Sequence, residues 1–275
     1  MIPPFVDAAW LGEHRHEVVL ADVRWYLDGR SGVAAFEDGH LPGAVFVDLD
    51  RWLAAPADPR HGRHPLPEPD VFARGMSAAG IGDDTTVVAY DDSGGGTAGR
   101  LVFMLRVLGH DAALLDGGLA AATSLIGSEI GPSPALAPAR FTPRPWPVDR
   151  FADADAAAGH AALGGCLLDA RSAERFRGEQ EVVDPRPGHI PGAGSAPWQG
   201  NLDDAGRFLP AAALRERFDR LGAGADVVCY CGSGVSACAN LLALERAGIA
   251  STKLYVGSWS GWSADPGRSV ATGPG

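Results

Sequence analysis

The chain has 275 residues, 46% of them hydrophobic and 21% charged, a globular composition with enough apolar material for two cores of ordinary size. A formal net charge of −11 argues against nucleic acid or an anionic membrane as the main partner. Four cysteines, two of them in a Cys-x-Cys, match neither a disulfide framework nor the paired spacing of a zinc site, and no metal or cofactor is expected. The stretch from Met1 to Asp7 has no basic region or long apolar run, and no segment approaches a membrane span. The expected location is a reducing cytoplasm.

In chain order, Val18 to Arg24 reads as an apolar strand ending in Asp-x-Arg, followed by Gly39-His40-Leu41-Pro42-Gly43-Ala44. Thr86 to Asp91 is a second strand. It leads through a Gly-rich loop into a helix ending near Leu108-Gly109, and then into a short strand at Ala113 to Leu115. Between Gly131 and Val148 the prolines at 132, 134, 138, 143, 145 and 147 predict an extended, semi-rigid connector.

The order then repeats. Leu167-Leu168-Asp169-Ala170-Arg171 is followed by Gly188-His189-Ile190-Pro191-Gly192-Ala193, and Asp226 to Cys231 forms a strand before a Gly/Ser loop. A helical pattern runs from about Ser236 to Ala247, closed by Gly248, and a last strand starts near Lys253. Apolar strands alternating with helical segments predict an α/β fold, with a mainly parallel sheet flanked by helices in each half. The boundaries are set at 1–130 for a first domain, 131–148 for the connector and 149–275 for a second domain. His40 and His189, with the Asp22/Arg24 and Asp169/Arg171 pairs, occur in both halves and are assigned to shaping the turns.

Cys231 lies between a strand end and a helix N-terminus, where unpaired backbone N–H groups and the helix dipole favour a thiolate. The glycines at 232 and 234 let the loop curl so that its amides converge around the sulfur. Cys231 is therefore the candidate nucleophile, while Cys166, Cys229 and Cys238 read as packing. The first half carries Asp91 at the equivalent place. An aspartate cannot do thiolate chemistry, so one reactive loop is expected, with the other half as a wall of the cleft at the strands' C-terminal ends.

These residues resemble the tandem rhodanese-type sulfurtransferases over nearly the whole chain. The likeness rests on both Asp-x-Arg strands, both Gly-His-(Leu/Ile)-Pro-Gly-Ala segments, the cysteine-less first copy and the catalytic loop. It implies two rhodanese-like α/β domains and a persulfide carried on Cys231. The loop Cys231-Gly232-Ser233-Gly234-Val235-Ser236-Ala237 is similar to that of 3-mercaptopyruvate sulfurtransferases. Thiosulfate sulfurtransferases usually carry basic residues just after the cysteine, and Gly232 and Ser233 bring none.

The resemblance further implies that the amides from Gly232 to Ala237 hold the persulfide. Two arginines would grip the donor: Arg175, in Arg175-Phe176-Arg177-Gly178, and Arg186 as the best second candidate, with Arg177 as a substitute. A planar fork for a carboxylate is the physical requirement. A serine–histidine–aspartate relay maps onto Ser233, His64 and Asp50. The segment Gly257-Ser258-Trp259 would lie beside the reactive loop. Implied partners are a small sulfur donor and a cyanide, thiol or thioredoxin-like acceptor, and the expected state is a monomer. Thiosulfate remains the alternative donor and a non-catalytic binding module the alternative class. A phosphatase of the same fold would need an arginine where Ala237 stands.

Overall fold

The computed structural model describes residues 1–224 and 226–274. Each half runs through the same succession of elements. In the first these are β1 (Phe5–Val6), α1 (Ala8–His14), β2 (Val18–Asp22), α2 (Gly32–Asp38), β3 (Val45–Phe46), α3 (Pro69–Ala78), β4 (Thr86–Tyr90), α4 (Ala98–Val107), β5 (Ala112–Leu115) and α5 (Gly118–Ile126). In the second they are β6 (Phe151–Ala152), α6 (Ala154–Ala162), β7 (Cys166–Asp169), α7 (Ala173–Arg177), β8 (Gly194–Ser195), α8 (Ala211–Arg220), β9 (Val227–Tyr230), α9 (Ala237–Arg246), β10 (Thr252–Tyr255) and α10 (Ser258–Ala264).

The two five-stranded sheets have the orders β1-β5-β4-β2-β3 and β6-β10-β9-β7-β8, so each strand keeps the same neighbours in both copies. The pairings are parallel, as the α/β alternation requires. The central strands β4 and β9 are apolar because both of their faces are covered. Val88 and Tyr90 pack with Leu20, Phe36 and Leu115 in the first half. Val228 and Tyr230 pack with Leu167, Phe176 and Trp259 in the second. Each such side chain removed from water contributes about 1.5–3 kcal/mol.

The duplicated polar residues are part of this framework. Arg24 donates to Asp22 Oδ2 at 2.8 Å and to the Gly39 carbonyl at 2.7 Å. Arg171 repeats this with Asp169 Oδ2 and the Gly188 carbonyl, both at 2.6 Å. The Tyr90 and Tyr230 hydroxyls accept the N–H groups of Leu41 and Ile190 at 3.0 and 3.1 Å. His40 stacks on Phe36 and His189 on Phe176, with ring centroids 3.8 and 3.7 Å apart. These contacts fix the Gly-His turns against the sheet ends.

The chain divides into two compact units, but not where the composition changes. The first comprises Met1–Ala55, Pro67–Trp146 and Asp204–Arg207; the second comprises Pro56–Leu66, Pro147–Asp203 and Phe208–Gly275. Most of the Pro-rich segment is thus bound into the first unit rather than standing between domains. Phe141 is buried against Phe72, and the Trp146 indole donates to the Pro67 carbonyl at 2.8 Å. The segment 56–66, which sequence order places in the first domain, belongs to the second unit because Gly62 lets it lie against α10. A Cβ there would fall 2.5 Å from the Gly257 carbonyl oxygen.

In the first unit the loop between β4 and α4 closes on its own side chain. Asp91 is fully buried. Its Oδ1 accepts the N–H groups of Ser93 at 2.9 Å and Gly95 at 2.7 Å. Its Oδ2 accepts from the N–H groups of Thr97 and Ala98, both at 2.8 Å, and from the Thr97 hydroxyl at 2.9 Å. Replacing this carboxylate strands several buried donors at once. Asp91→Ala is expected to lower unfolding free energy by roughly 3 kcal/mol or more, read from urea denaturation. A change below about 1 kcal/mol would show that the loop does not depend on its internal anion.

Candidate active site

Cys231 follows directly on β9 and precedes the loop into α9, as strand and helix patterning led one to expect. Its sulfur is buried and accepts the Gly234 N–H at 3.2 Å. Gly234 has φ +76° and its counterpart Gly94 +77°, so both loops take the same left-handed turn; in the first the following amide, that of Gly95, returns to Asp91, while in the second it is the Gly234 amide that meets Cys231. Beyond that turn the loops differ: Gly95 has φ +92°, a conformation that Val235 in the second loop does not share.

The remaining cysteines are held as packing. Burial pushes the Cys166 thiol up to about 11 and that of Cys229, inside β9, well above its ordinary value. Cys238, in the first turn of α9, donates its S–H to the Gly234 carbonyl at 3.4 Å.

The segment after β10 supports the reactive loop from the side. The Cys231 N–H donates to Ser258 Oγ at 3.1 Å, and Ser258 Oγ donates to the Tyr255 carbonyl at 2.9 Å. The N–H groups of Trp259 and Ser260 donate back to the carbonyls of Cys231 and Gly232, both at 2.9 Å. Ser258 sits at φ +51°, the one non-glycine residue with positive φ among the described residues. That conformation is held by the reciprocal hydrogen bonds it makes with the loop. Trp259 is fully buried under Arg171, whose guanidinium carbon lies 4.6 Å from the ring centroid.

Ser233 projects from the loop and meets His64, with Oγ and Nδ1 2.8 Å apart. His64 is buried and is carried by the 56–66 segment. Asp50 lies in the first unit, on the turn Leu49–Leu53, where its exposed carboxylate accepts the Trp25 indole N–H at 2.9 Å.

Arg175 lies on α7. Its Nη2 donates to Glu181 Oε1 at 2.9 Å and to Asp184 Oδ2 at 2.8 Å. Its Nη1 lies 3.5 Å from the point a Cβ on Gly232 would occupy. Arg186 is a correction. Its guanidinium donates to the carbonyls of Ser263, Arg268, Trp262 and Asp265 at 2.6 to 3.0 Å. Those carbonyls lie at and beyond the end of α10, so the side chain closes that helix and its fork is spent on backbone. The substitute, Arg177, is also engaged elsewhere, donating to Glu179 at 2.7 and 2.8 Å on the surface.

A second guanidinium near the loop comes instead from Arg63, a residue the motif reading passed over. Its Nη2 lies 2.8 Å from the same Cβ point on Gly232, and its Nη1 donates to Asp184 Oδ1. The available signal was its position beside His64 in Arg63-His64-Pro65. Asp184 thus holds one arginine on each oxygen. Burial raises its carboxyl above the ordinary aspartate range, against the pull of the Arg63 charge. Burial also pushes Glu181 up, but the backbone N–H groups of Asp184 and Val183 and the Arg175 guanidinium hold it below the ordinary glutamate value.

Comparison with known proteins follows the same lines. The rhodanese-like domain family matches residues 7–124 and again 151–265. A probable 3-mercaptopyruvate sulfurtransferase of Pseudomonas aeruginosa is 45% identical over 267 residues, covering 94% of this chain and 93% of its own. A putative thiosulfate sulfurtransferase of Mycobacterium tuberculosis, SseB, is 42% identical over 268 residues, covering 93% of this chain and 91% of its own. Among solved structures, SseA of Escherichia coli, described as a 3-mercaptopyruvate sulfotransferase of rhodanese fold, is similar with a TM-score of 0.82 at 32% identity. That likeness covers 94% of this chain and 99% of the other.

The 56–66 segment reaches the loop only if Gly62 keeps φ +87° and its open side, since a Cβ would meet the Gly257 carbonyl oxygen at 2.5 Å and Ser260 Oγ at 2.8 Å. Gly29, at φ +84°, has nothing within 4 Å of the same point. Gly29→Ala should therefore carry only the conformational cost, about 1 kcal/mol. Gly62→Ala should cost at least about 1 kcal/mol more, with both read from urea unfolding. Equal costs would mean that the close approach does not hold the segment.

Proposed function

The chain belongs to the rhodanese-like domain family in both halves, and from that premise we propose that it is a sulfurtransferase. It moves sulfane sulfur from 3-mercaptopyruvate to a thiophilic acceptor through a persulfide on Cys231. The observation that carries this reading is the Cys231 sulfur at the strand-to-helix turn, accepting a loop N–H, with arginine forks beside it. The P. aeruginosa relative, named for the same donor, supports the choice of 3-mercaptopyruvate.

In the first step the Cys231 thiolate attacks the donor's sulfur. A sulfur–sulfur bond forms, the donor's carbon–sulfur bond breaks, and the electron pair stays on carbon as the enolate of pyruvate. The Ser233–His64 pair is suited to deliver the proton that quenches this carbanion, and Asp50 is assigned as the relay's third member. Arg175 offers its Nη1, the nitrogen turned toward Gly232, to the carboxylate, while its Nε and Nη2 are held by Glu181 and Asp184. In the second step cyanide, a thiol or a thioredoxin-like dithiol attacks the outer sulfur, and the thiolate of Cys231 leaves. Ping-pong kinetics follow.

The first unit supports the role of the loop amides from Gly232 to Ala237. A carboxylate oxygen of Asp91 stands as many bonds from its backbone as the outer sulfur of a cysteine persulfide would. In that loop the oxygen is held by the N–H of Thr97, the counterpart of Ala237. An outer sulfur on Cys231 would carry its charge toward the equivalent amides, in the manner of an oxyanion hole.

Thiosulfate is the second reading, supported by the name of the M. tuberculosis relative. The absence of a basic side chain at Gly232, Ser233 and Ala237 disfavours it, and Ala237 equally disfavours phosphatase chemistry. No helix among the described residues is long and apolar enough to cross a membrane. A cytoplasmic, monomeric enzyme is the reading proposed.

Two measurements test it. kcat/KM on one preparation should favour 3-mercaptopyruvate over thiosulfate by about ten-fold or more, and a preference for thiosulfate would overturn the donor. Incubation with donor should add one sulfur atom to Cys231, located by fragmentation of its peptide, and none to Cys166 or Cys238. A persulfide that still forms in Cys231→Ser would overturn the mechanism.

A further inference from the structure

We infer that Arg63 is the second donor-binding guanidinium, forming with Arg175 a rigid fork pair over Gly232 that receives the anionic end of the sulfur donor. The assignment rests on the sulfurtransferase reading and adds to it a residue carried by the 56–66 segment.

Four observations carry it. First, both guanidiniums converge on one point beside the nucleophile. Arg63 Nη2 and Arg175 Nη1 stand 2.8 and 3.5 Å from where a Cβ on Gly232 would lie. A Cβ at 232 would require Arg63 Nη2 to shift and would stand in ordinary contact with Arg175 Nη1, so the glycine next to Cys231 leaves room for the Arg63 guanidinium as placed. Second, the pair is fixed by a shared partner. Asp184, about 1% exposed, takes Arg63 on Oδ1 and Arg175 on Oδ2. Two forks held on one carboxylate are preorganised and lose little freedom when an anion arrives.

Third, Arg63 is incompletely satisfied. Its Nε is buried without a hydrogen-bond partner, while Arg186, the alternative second clamp, has its fork filled by four carbonyls. A buried guanidinium donor left unmade is costly, and an anion is the natural acceptor. Fourth, the residue's backbone is pinned. Its N–H donates to Ser260 Oγ at 3.0 Å, and the neighbouring His64 bonds Ser233, so Arg63 is registered to the reactive loop on both sides.

A carboxylate or a thiosulfate oxygen would satisfy the same pair, and the test separates them. Arg63→Ala should lower kcat/KM for 3-mercaptopyruvate by about 10- to 100-fold, the scale of one charge-assisted hydrogen bond. Because kcat/KM for the acceptor in a ping-pong reaction reports only the second half-reaction, the value for uncharged dithiothreitol should stay within about two-fold. Arg63→Lys, which keeps charge without the fork, should recover only part of the donor loss. Free guanidinium ion should partly rescue Arg63→Ala.

An equal loss with thiosulfate means recognition of anions in general, and loss with 3-mercaptopyruvate alone means recognition of its carboxylate. Both support Arg63. A donor kcat/KM within three-fold of the parent, or a parallel fall in the dithiothreitol value, overturns it. If Arg63→Ala does not fold, Arg63→Lys decides by the same two ratios. If the parent protein turns over neither donor, the sulfurtransferase reading has failed. Arg63 is then judged by whether pyruvate slows iodoacetamide alkylation of Cys231 in the parent more than in Arg63→Lys, with equal protection overturning it.

Discussion

A strand that passes directly into a helix leaves a set of backbone N–H groups pointing at one place, and something negative has to sit there. Each half of this chain is built around that requirement. In the first unit Asp91 meets it permanently, with its carboxylate spread over the amides of Ser93, Gly95, Thr97 and Ala98. In the second, the Cys231 sulfur stands at the same place and accepts the Gly234 N–H, and a persulfide there would be longer by one atom. One architecture thus gives a sealed loop and a reactive one, and the difference lies in whether the anion belongs to the fold or is made and unmade in turnover.

The same difference explains where the positive charge sits. The reactive loop from Gly232 to Ala237 contains no basic side chain, so the amides are left to the sulfur. The guanidiniums come from outside it, Arg175 from α7 and Arg63 from the 56–66 segment, and they are metered by buried carboxylates. Glu181 accepts from both Arg171 and Arg175, which joins the donor site to the Asp169–Arg171 pair under the sheet end. Half-buried guanidiniums held on buried acids are restrained in position, because parting them would leave a buried carboxylate unpaired. Orientation of a small anion needs that kind of rigidity.

The repeated strands, the parallel sheets and the strand-to-helix position of Cys231 were legible because each is written locally. Apolar runs of four or five residues, an Asp-x-Arg at a strand end and a cysteine before Gly-x-Gly all carry their physics within a few positions. Arg175 was singled out through the resemblance of Arg175-Phe176-Arg177-Gly178 to a family motif, and it lies within α7. Arg186 misled because a loop arginine before the Gly-His turn looks free in sequence. Its engagement depends on carbonyls some eighty residues later, at the end of α10. Arg63 was invisible for the converse reason. Its motif sits in the half of the sequence without a cysteine, and it joins the second unit through contacts distant in sequence, the packing of Gly62 on Gly257 among them.

That exchange of a short segment has a consequence for how the site is specified. The sulfur-carrying loop is supported by elements contiguous with it, β9, α9 and the turn at Ser258, whose reciprocal hydrogen bonds tie Cys231 and Gly232 in place. Donor recognition, in contrast, draws on a segment inserted from a distant part of the chain, carrying Arg63 and His64 side by side. The 56–66 segment thus contributes the arginine beside Gly232 and the histidine at Ser233, while the main-chain hydrogen bonds of Cys231 come from the Ser258 turn.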